Sequence, residues 1–275
     1  MADKPAKVMI RRHSGVTRFT HWLNVLAVSL LLMSGLQIFN AHPALYWGAK
    51  STFAEPWIAM KKEEIGGEAR GTTIVAGHRF DTTGLFGWSG AEGHREVRGF
   101  PAWATVPSWR DLGAGRSWHF FFAWVFVLNG LVYWLWGLIG GHVRRDLLPT
   151  QAQLKPRHIL HEIATHARLQ FPKGEAARRY NVIQKLTYLL VVAVLLPLMV
   201  VTGLCMSPTF NTTVPWLIDL FGGRQSARTI HFLSASGIML FIVVHLALVV
   251  VSGFWNNIRS MITGRYAIET DGEKA

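Results

Sequence analysis

The stretch Ile230–Ala247 reads IHFLSASGIMLFIVVHLA and carries a histidine near each end. His231 and His245 are fourteen residues apart in a largely apolar run. An α-helix turns about 100° and rises about 1.5 Å per residue, so the two side chains share a face and lie about 21 Å apart along the axis. A titratable side chain inside a membrane span costs enough free energy that a functional role is expected. A structural role, with both rings hydrogen-bonded inside a helix bundle, is the alternative.

The composition is typical of a membrane protein. Half of the 275 residues are apolar and only 16% are charged, which excludes a disordered or nucleic-acid-binding class. The apolar residues form four blocks, each close to the ~20 residues that cross a bilayer. These blocks cover approximately 19–40, 117–140, 182–206 and 228–254. We therefore predict an all-α integral membrane protein, a bundle of four transmembrane helices forming a single domain over 1–275.

The distribution of basic residues predicts the orientation in the membrane. Five Lys or Arg precede or open the first block, and the 141–181 loop carries eight against three acids. The latter eight are Arg144, Arg145, Lys155, Arg157, Arg168, Lys173, Arg178 and Arg179. Cytoplasmic loops of membrane proteins carry such an excess, so both termini and this loop are expected in the cytoplasm.

The 41–116 segment between the first two blocks is too long for a simple connection and contains five tryptophans. We expect it to form a compact cap on the outer face of the bundle, with a small hairpin over 71–81. Its tryptophans and mixed charge favour a docking surface for a partner protein. Shielding of the bundle from water is the alternative role. The segment 215–222 predicts a short interfacial helix, with Pro215 at its start and Gly222 at its end.

Four of the twelve histidines lie within the predicted spans: His21, His119, His231 and His245. The predicted topology places His21 and His245 near the cytoplasmic side, and His119 and His231 near the outer side. Two imidazole pairs at two depths are what two haems would require as axial ligands. Cys205 is the only cysteine, which excludes an iron–sulfur cluster and covalent attachment of haem through a C-x-x-C-H motif. Any haem must therefore be of the b type.

An arginine precedes three of these histidines by three residues, in Arg18-x-x-His21, Arg116-x-x-His119 and Arg228-x-x-His231. A guanidinium one helical turn nearer the membrane surface could bind a haem propionate through paired hydrogen bonds. Lys and Arg also flank transmembrane helices without any ligand, which is the alternative. Gly35 lies fourteen residues after His21 and could leave room for a flat macrocycle at the depth of the outer pair, or serve helix packing.

The order of these histidines along the chain resembles that of the bacterial cytochrome b561 superfamily. His21-Trp22 lies near the start of the first span, His119 opens the second, and the fourth carries the pair His231 and His245. This superfamily includes the membrane subunits of formate dehydrogenase, nickel–iron hydrogenase and thiosulfate reductase. The similarity covers nearly all of the chain outside 41–116. The segment Tyr180-Asn181-x-x-Gln184-Lys185 is similar to the one beside the quinone site of formate dehydrogenase gamma subunits.

The resemblance implies a di-haem b cytochrome that carries electrons between the quinone pool, ubiquinone or menaquinone, and a periplasmic redox subunit dependent on molybdopterin. We expect the quinone beside the cytoplasmic haem, lined by His245, Asn181 and Gln184. Helix capping by Asn181 and Gln184 is the competing interpretation. The main functional alternative is a self-contained superoxide:quinone oxidoreductase of the cytochrome b561 type, and a haem-free membrane anchor is a further one.

Overall fold

The structure is a computed structural model that describes residues 6–170 and 180–270. Four of the basic residues that entered the orientation argument lie outside the described residues, namely Lys4, Lys173, Arg178 and Arg179. The described chain is mostly helical, with short strands near both ends and between the first two long helices.

Four helical segments are long and apolar enough to cross a membrane. They are α1 (Gly15–Phe39), α2 (Leu112–Ile139), the segment Val182–Cys205 and α8 (Arg224–Val251). The third consists of α4 (Val182–Leu189), a π-helical stretch (Leu190–Leu195) and α5 (Leu196–Cys205). The prediction of four spans is confirmed.

Helices α1, α2 and α8 begin about four residues before the apolar blocks that predicted them, because the helices extend beyond the run of apolar side chains. Ser14 caps α1 by accepting a hydrogen bond from the backbone N–H of Thr17 at 3.0 Å. Asp111 caps α2 through the N–H of Ala114 at 2.9 Å. Such caps satisfy backbone donors that have no partner within the helix.

The shorter helices connect or follow these spans. They are α3 (Pro156–Ala167), α6 (Pro208–Thr213), α7 (Trp216–Leu220) and α9 (Phe254–Thr263). Helix α7 confirms the short helix predicted over 215–222. The strands are β1 (Ala6–Arg11), β2 (Ala44–Leu45), β3 (Ile58–Ile65), β4 (Glu68–Val75), β5 (His78–Asp81), β6 (Gly87–Ser89), β7 (Glu96–Arg98) and β8 (Arg265–Thr270).

The chain divides into two units whose boundaries fall within the long helices. The first unit contains Met1–Leu23, Asn129–Pro197 and Ser236–Ala275, and the second contains Asn24–Leu128 and Leu198–Ala235. His21 and His245 belong to the first unit, whereas His119 and His231 belong to the second.

The second unit contains two antiparallel sheets between α1 and α2. One has the strand order β2-β3-β4-β5, and the other pairs β6 with β7. The hairpin of β4 and β5 turns at Ala76 and Gly77, whose φ angles are 48° and 84°. Two positive φ angles are typical of the type I′ turn that matches the twist of paired strands. The predicted hairpin is therefore confirmed.

A buried arginine holds the connection between these sheets and α2 together. Arg98 is 3% exposed, and its guanidinium donates to the carbonyls of Phe100 at 2.8 Å and Ser108 at 3.0 Å. It also donates to the hydroxyl of Thr105 at 3.0 Å. Burial lowers the pKa of Arg98. These bonds compensate for removing the charged group from water.

In the first unit, β1 and β8 form an antiparallel sheet that joins the two ends of the described chain. Asn129 donates from its amide to the carbonyl of Thr20 at 2.8 Å and so links α2 to α1. Lys185 is buried, and its ammonium donates to the carbonyl of Leu148 at 3.1 Å. Polar side chains thus link α2 to α1 and α4 to the segment that follows α2.

Replacing Arg98 with Met should destabilise selectively the 41–111 segment, which is the part of the 41–116 cap that precedes α2. The substitution removes the donors to two carbonyls and a hydroxyl, which we expect to cost about 3 kcal/mol. Cleavage of this segment by a protease under native conditions should become about a hundredfold faster. Arg110→Met is the control, because Arg110 is exposed and its guanidinium donates to one carbonyl among the described residues, that of Val97 at 3.2 Å. Equal cleavage rates in the two variants would contradict the role assigned to Arg98.

Candidate functional site

The structure brings His119 of α2 and His231 of α8 together in the second unit. Their ring centres are 6.4 Å apart, and the ring planes are inclined by 62°. A metal–imidazole bond of about 2.0–2.1 Å, with the ring centre about 1.2 Å behind the nitrogen, puts two rings on opposite sides of one metal ion about 6.5 Å apart. The observed spacing fits one iron atom between the rings.

A buried hydroxyl group orients each ring of this pair. The Nδ1 atom of His119 lies 3.1 Å from the hydroxyl of Ser34, and that of His231 lies 3.0 Å from the hydroxyl of Thr202. Each hydroxyl donates its own hydrogen to a carbonyl one turn earlier in its helix, at 2.6 Å. The hydroxyl oxygen must then accept from the Nδ1–H of the histidine. This places the lone pair on Nε2, the tautomer suited to bind a metal.

A glycine follows each of these hydroxyl residues and faces the same histidine. A Cβ added at Gly35 would lie 3.4 Å from Cε1 of His119, and one at Gly203 would lie 3.5 Å from Cε1 of His231. A side chain longer than a methyl would therefore occupy the space beside the ring. Because glycine has no side chain, Gly35 and Gly203 leave a flat space beside each ring of the pair.

His21 of α1 and His245 of α8 form the second pair, in the first unit. Their ring centres are 6.5 Å apart with planes inclined by 56°, so the spacing again fits one metal atom. The Nδ1 atom of His21 is buried and has no hydrogen-bond partner among the described residues. His245 stacks on Phe241 with ring centres 5.5 Å apart, and Trp22 meets His21 edge-on at 5.4 Å. The His21–His245 pair therefore differs from the His119–His231 pair, in which a hydroxyl lies beside each Nδ1 atom.

The three arginines of the Arg-x-x-His pattern differ in their contacts. Arg228 donates to the carbonyls of His42 at 2.6 Å and Ala44 at 2.9 Å, so it holds the start of the 41–111 segment. Arg18 donates to the carbonyls of Ser14 and Ile262.

Arg116 is the third arginine of the pattern, and its guanidinium lies 5.7 Å from the ring centre of Phe120. The sequence pattern thus locates arginines correctly near the helix starts, but it does not reveal that the guanidiniums of Arg18 and Arg228 bind backbone carbonyls.

Asn181 and Gln184 form a capping box at the start of α4. The side chain of Asn181 accepts from the N–H of Gln184 at 2.9 Å, and the side chain of Gln184 accepts from the N–H of Asn181 at 3.3 Å. The amide nitrogen of Asn181 lies 3.1 Å from Nε2 of His166. The capping role that the sequence left open is therefore present, and it uses the carbonyl oxygens of both side chains.

Sequence reasoning named His119, His231 and Gly35 but missed Ser34, Thr202 and Gly203. Their signal was present, because Ser34-Gly35-Leu36 in the first span repeats as Thr202-Gly203-Leu204 in the third. The two tripeptides come from different helices and contact different histidines.

The chain belongs to the family of prokaryotic cytochromes b561, whose family model matches residues 12–264. It is 25% identical over 237 residues to a protein of Azospira oryzae provisionally named protein-methionine-sulfoxide reductase subunit YedZ1. The match covers 86% of this chain and 89% of that relative. No solved structure matches the chain significantly.

Family membership and the four apolar helices make this chain a multi-pass bacterial membrane protein that takes part in electron transport. The family implies that it binds haem b. The chemistry of the donor set agrees, since neutral imidazoles are common ligands of haem iron. The expected resemblance to the cytochrome b561 superfamily is thus confirmed.

Thr202→Val should weaken haem binding beside His231 while preserving the volume of the side chain. Loss of an outer hydrogen-bond partner typically lowers metal affinity about 10- to 100-fold. The measurement is haem retained per chain after extensive washing, determined as pyridine haemochrome.

Thr229→Val is the matched control for this change. Thr229 is a buried threonine two residues before His231, and its hydroxyl donates to the carbonyl of Tyr46 at 2.7 Å rather than to a histidine. Equal haem loss in both variants would show that general destabilisation, not ring orientation, is responsible.

Proposed function

We propose that this chain is a di-haem b cytochrome that carries electrons between membrane quinone and a redox enzyme on the periplasmic side of the bacterial inner membrane. The observation that carries this proposal is the spacing of two separate histidine pairs, each about the width of a bis-imidazole iron site. Bound haem would supply a reversible one-electron couple at each pair.

In this proposal His21 and His245 would hold the iron of one haem, and His119 and His231 would hold that of the other. Ser34 and Thr202 hold the rings of the second pair in the ligating tautomer. The apolar surroundings exclude water from both sites. Arg18, Arg116 and Arg228 remain candidates for the propionates, with Arg116 the strongest because two nitrogens of Arg18 and two of Arg228 already bind carbonyls.

The proposed orientation has both termini and the 141–181 loop in the cytoplasm, as the distribution of basic residues predicts. The cap over 41–116 is then periplasmic and covers the His119–His231 pair. Contacts within the second unit support this placement, because Thr229 binds the carbonyl of Tyr46 and Ser226 accepts from the N–H of Gly48 at 2.7 Å. The loop after β2 therefore lies against the start of α8, about one turn from His231.

The proposed partner is a periplasmic subunit dependent on molybdopterin. The name of the Azospira oryzae relative supports a subunit role within a reductase. The reducing equivalents are proposed to come from or go to ubiquinone or menaquinone at the His21–His245 pair. Asn181 and Gln184 lie near the beginning of the third span. The amide of Asn181 has two hydrogens, so it could bind a quinone carbonyl in addition to Nε2 of His166.

The exposed aromatic residues of the cap suggest where a partner would dock. Trp103 and Trp109 are exposed, but the neighbouring backbone binds α1 through the N–H of Val106 and the carbonyl of Met33. This position fits an aromatic belt at the membrane interface. Phe53 is 74% exposed and lies in the loop that contacts the start of α8. We therefore propose that Phe53 is a docking anchor.

Replacing His231 with Ala should remove one haem and leave the other. Purified protein should then show about half the haemochrome per chain, with one reduced α-band retained, because the His21–His245 pair is untouched. His94→Ala is the control, since His94 is exposed and belongs to neither pair. Two haems in His231→Ala would refute the ligand assignment, and the absence of any α-band in the unmodified protein would support a haem-free anchor instead.

Asn181→Ser should separate quinone binding from helix capping. Serine is an equally good cap but lacks the amide donor. If the amide binds quinone, reduction of the haems by quinol should slow about tenfold, a loss of about 1.4 kcal/mol, with unchanged haem content. Asn181→Ala is the comparison, because it removes cap and amide together. Unchanged kinetics in Asn181→Ser would limit this residue to capping.

Phe53→Ala should abolish copurification of the partner while preserving both haems and their reduction by quinol. Truncation of an aromatic anchor at an interface typically costs about 2 kcal/mol or more. Phe80→Ala is the matched control, because Phe80 is also an exposed phenylalanine but lies on β5, at the opposite edge of the sheet from β2. Quinone reduction by superoxide in the absence of any partner would instead favour the self-contained oxidoreductase.

A further inference from the structure

A cavity of about 500 Å³ opens in the first unit beside the start of α1. Its lining comes from β1, from the first turn of α1 and the residues that lead into it, and from the end of α9 and the start of β8. The lining residues are Met9, Arg11, His13, Arg18, Thr263 and Arg265. We call this cavity the arginine pocket.

Two arginines of the pocket are direct partners across the β1–β8 sheet. The antiparallel register pairs Arg11 with Arg265, so both side chains project from the same face of the sheet. Like charges directly opposite each other destabilise a strand pair. A third guanidinium, that of Arg18, lines the same cavity. The side chains of Arg11 and Arg265 are exposed, so water weakens their repulsion, and a bound anion would cancel the rest with its negative charge.

The described residues do not supply that charge. No Asp or Glu lines the pocket, and none of its three arginines takes part in an ion pair within the part of the chain that the structure describes. The known acceptors of Arg18 are neutral backbone carbonyls. His13 adds no charge at neutral pH, because burial and then the neighbouring Arg12 lower its pKa to about 4.

We propose that the arginine pocket binds a phosphate group, with the headgroup of an anionic phospholipid as its source. Guanidinium groups bind phosphate oxygens through paired, charge-assisted hydrogen bonds, so three arginines around one cavity match a phosphate better than they match any neutral ligand. The cavity is also large enough for a phosphate together with part of a glycerol backbone.

The position of the pocket favours a lipid over a soluble phosphate. It lies at the beginning of a membrane-spanning helix, where headgroups meet the protein. Trp22, which is 41% exposed, lies one turn beyond Arg18 and donates from its indole to the carbonyl of Met261 at 3.0 Å. Trp255 and Ile262 of α9 are also largely exposed. Exposed apolar and indole groups beside a basic pocket are typical of the membrane interface.

The test uses the purified full chain in a non-ionic detergent and isothermal titration calorimetry. Three probes are titrated: dihexanoyl phosphatidylglycerol, dihexanoylglycerol, which lacks the phosphate, and inorganic phosphate. The variant Arg11→Gln/Arg265→Gln removes two charges from the pocket without touching Arg18 or any histidine pair. Arg144→Gln/Arg259→Gln removes the same charge from exposed positions of the first unit and is the control.

We expect phosphatidylglycerol to bind the unmodified chain and the control equally, and the pocket variant at least about tenfold more weakly, while dihexanoylglycerol does not bind. Inorganic phosphate that binds as tightly, with the same dependence on Arg11 and Arg265, would support the phosphate site and assign it to a soluble source. Unchanged binding of phosphatidylglycerol to the pocket variant would overturn the proposal.

A separate readout distinguishes this site from the haem sites. The pocket variant should keep its haem content and the position of its reduced α-band. If that band shifts while lipid binding stays unchanged, the arginines serve a haem propionate and the proposal is wrong. The His231→Ala variant should bind phosphatidylglycerol like the unmodified chain, so the two proposals can fail independently.

Discussion

Two imidazole rings facing each other across the width of one metal atom are the constraint on which the arrangement of the helices depends. The ring spacings of 6.4 and 6.5 Å recur in two units built from different parts of the chain. Each ring is carried by a long helix, so a small shift of either helix would change the spacing. The hydroxyls of Ser34 and Thr202 fix the orientation of the His119 and His231 rings, and Trp22 packs edge-on against the ring of His21.

A hydroxyl residue followed by a glycine, as in Ser34-Gly35 and Thr202-Gly203, both orients a histidine ring and leaves space beside it. A buried hydroxyl would be costly without a partner, and here it donates to its own helix and accepts from an imidazole. The neighbouring glycine removes the bulk that would otherwise fill the space beside the ring. The tripeptides that begin at Ser34 and Thr202 therefore connect the packing of the bundle with the chemistry of the His119–His231 pair.

Buried and clustered arginines have different roles in the two units. Arg98 and Arg228 are satisfied by backbone carbonyls and organise the 41–111 segment above the helix ends. Arg11 and Arg265 face each other with no acidic partner among the described residues. Arginine thus stabilises the fold where backbone carbonyls surround its guanidinium, and it is a candidate ligand-binding group where it lines a cavity.

The amino-acid sequence by itself determined the four spans, the histidines that pair and the hairpin over 71–81, because apolar runs, helical periodicity and turn residues are local signals. The tertiary structure decided what each polar side chain binds. The contacts of Arg228 with the carbonyls of His42 and Ala44, and of Thr202 with His231, could not be predicted because they join residues distant in sequence. The pairing of Arg11 with Arg265 depends on strand register between the two ends of the chain, which no local pattern reveals.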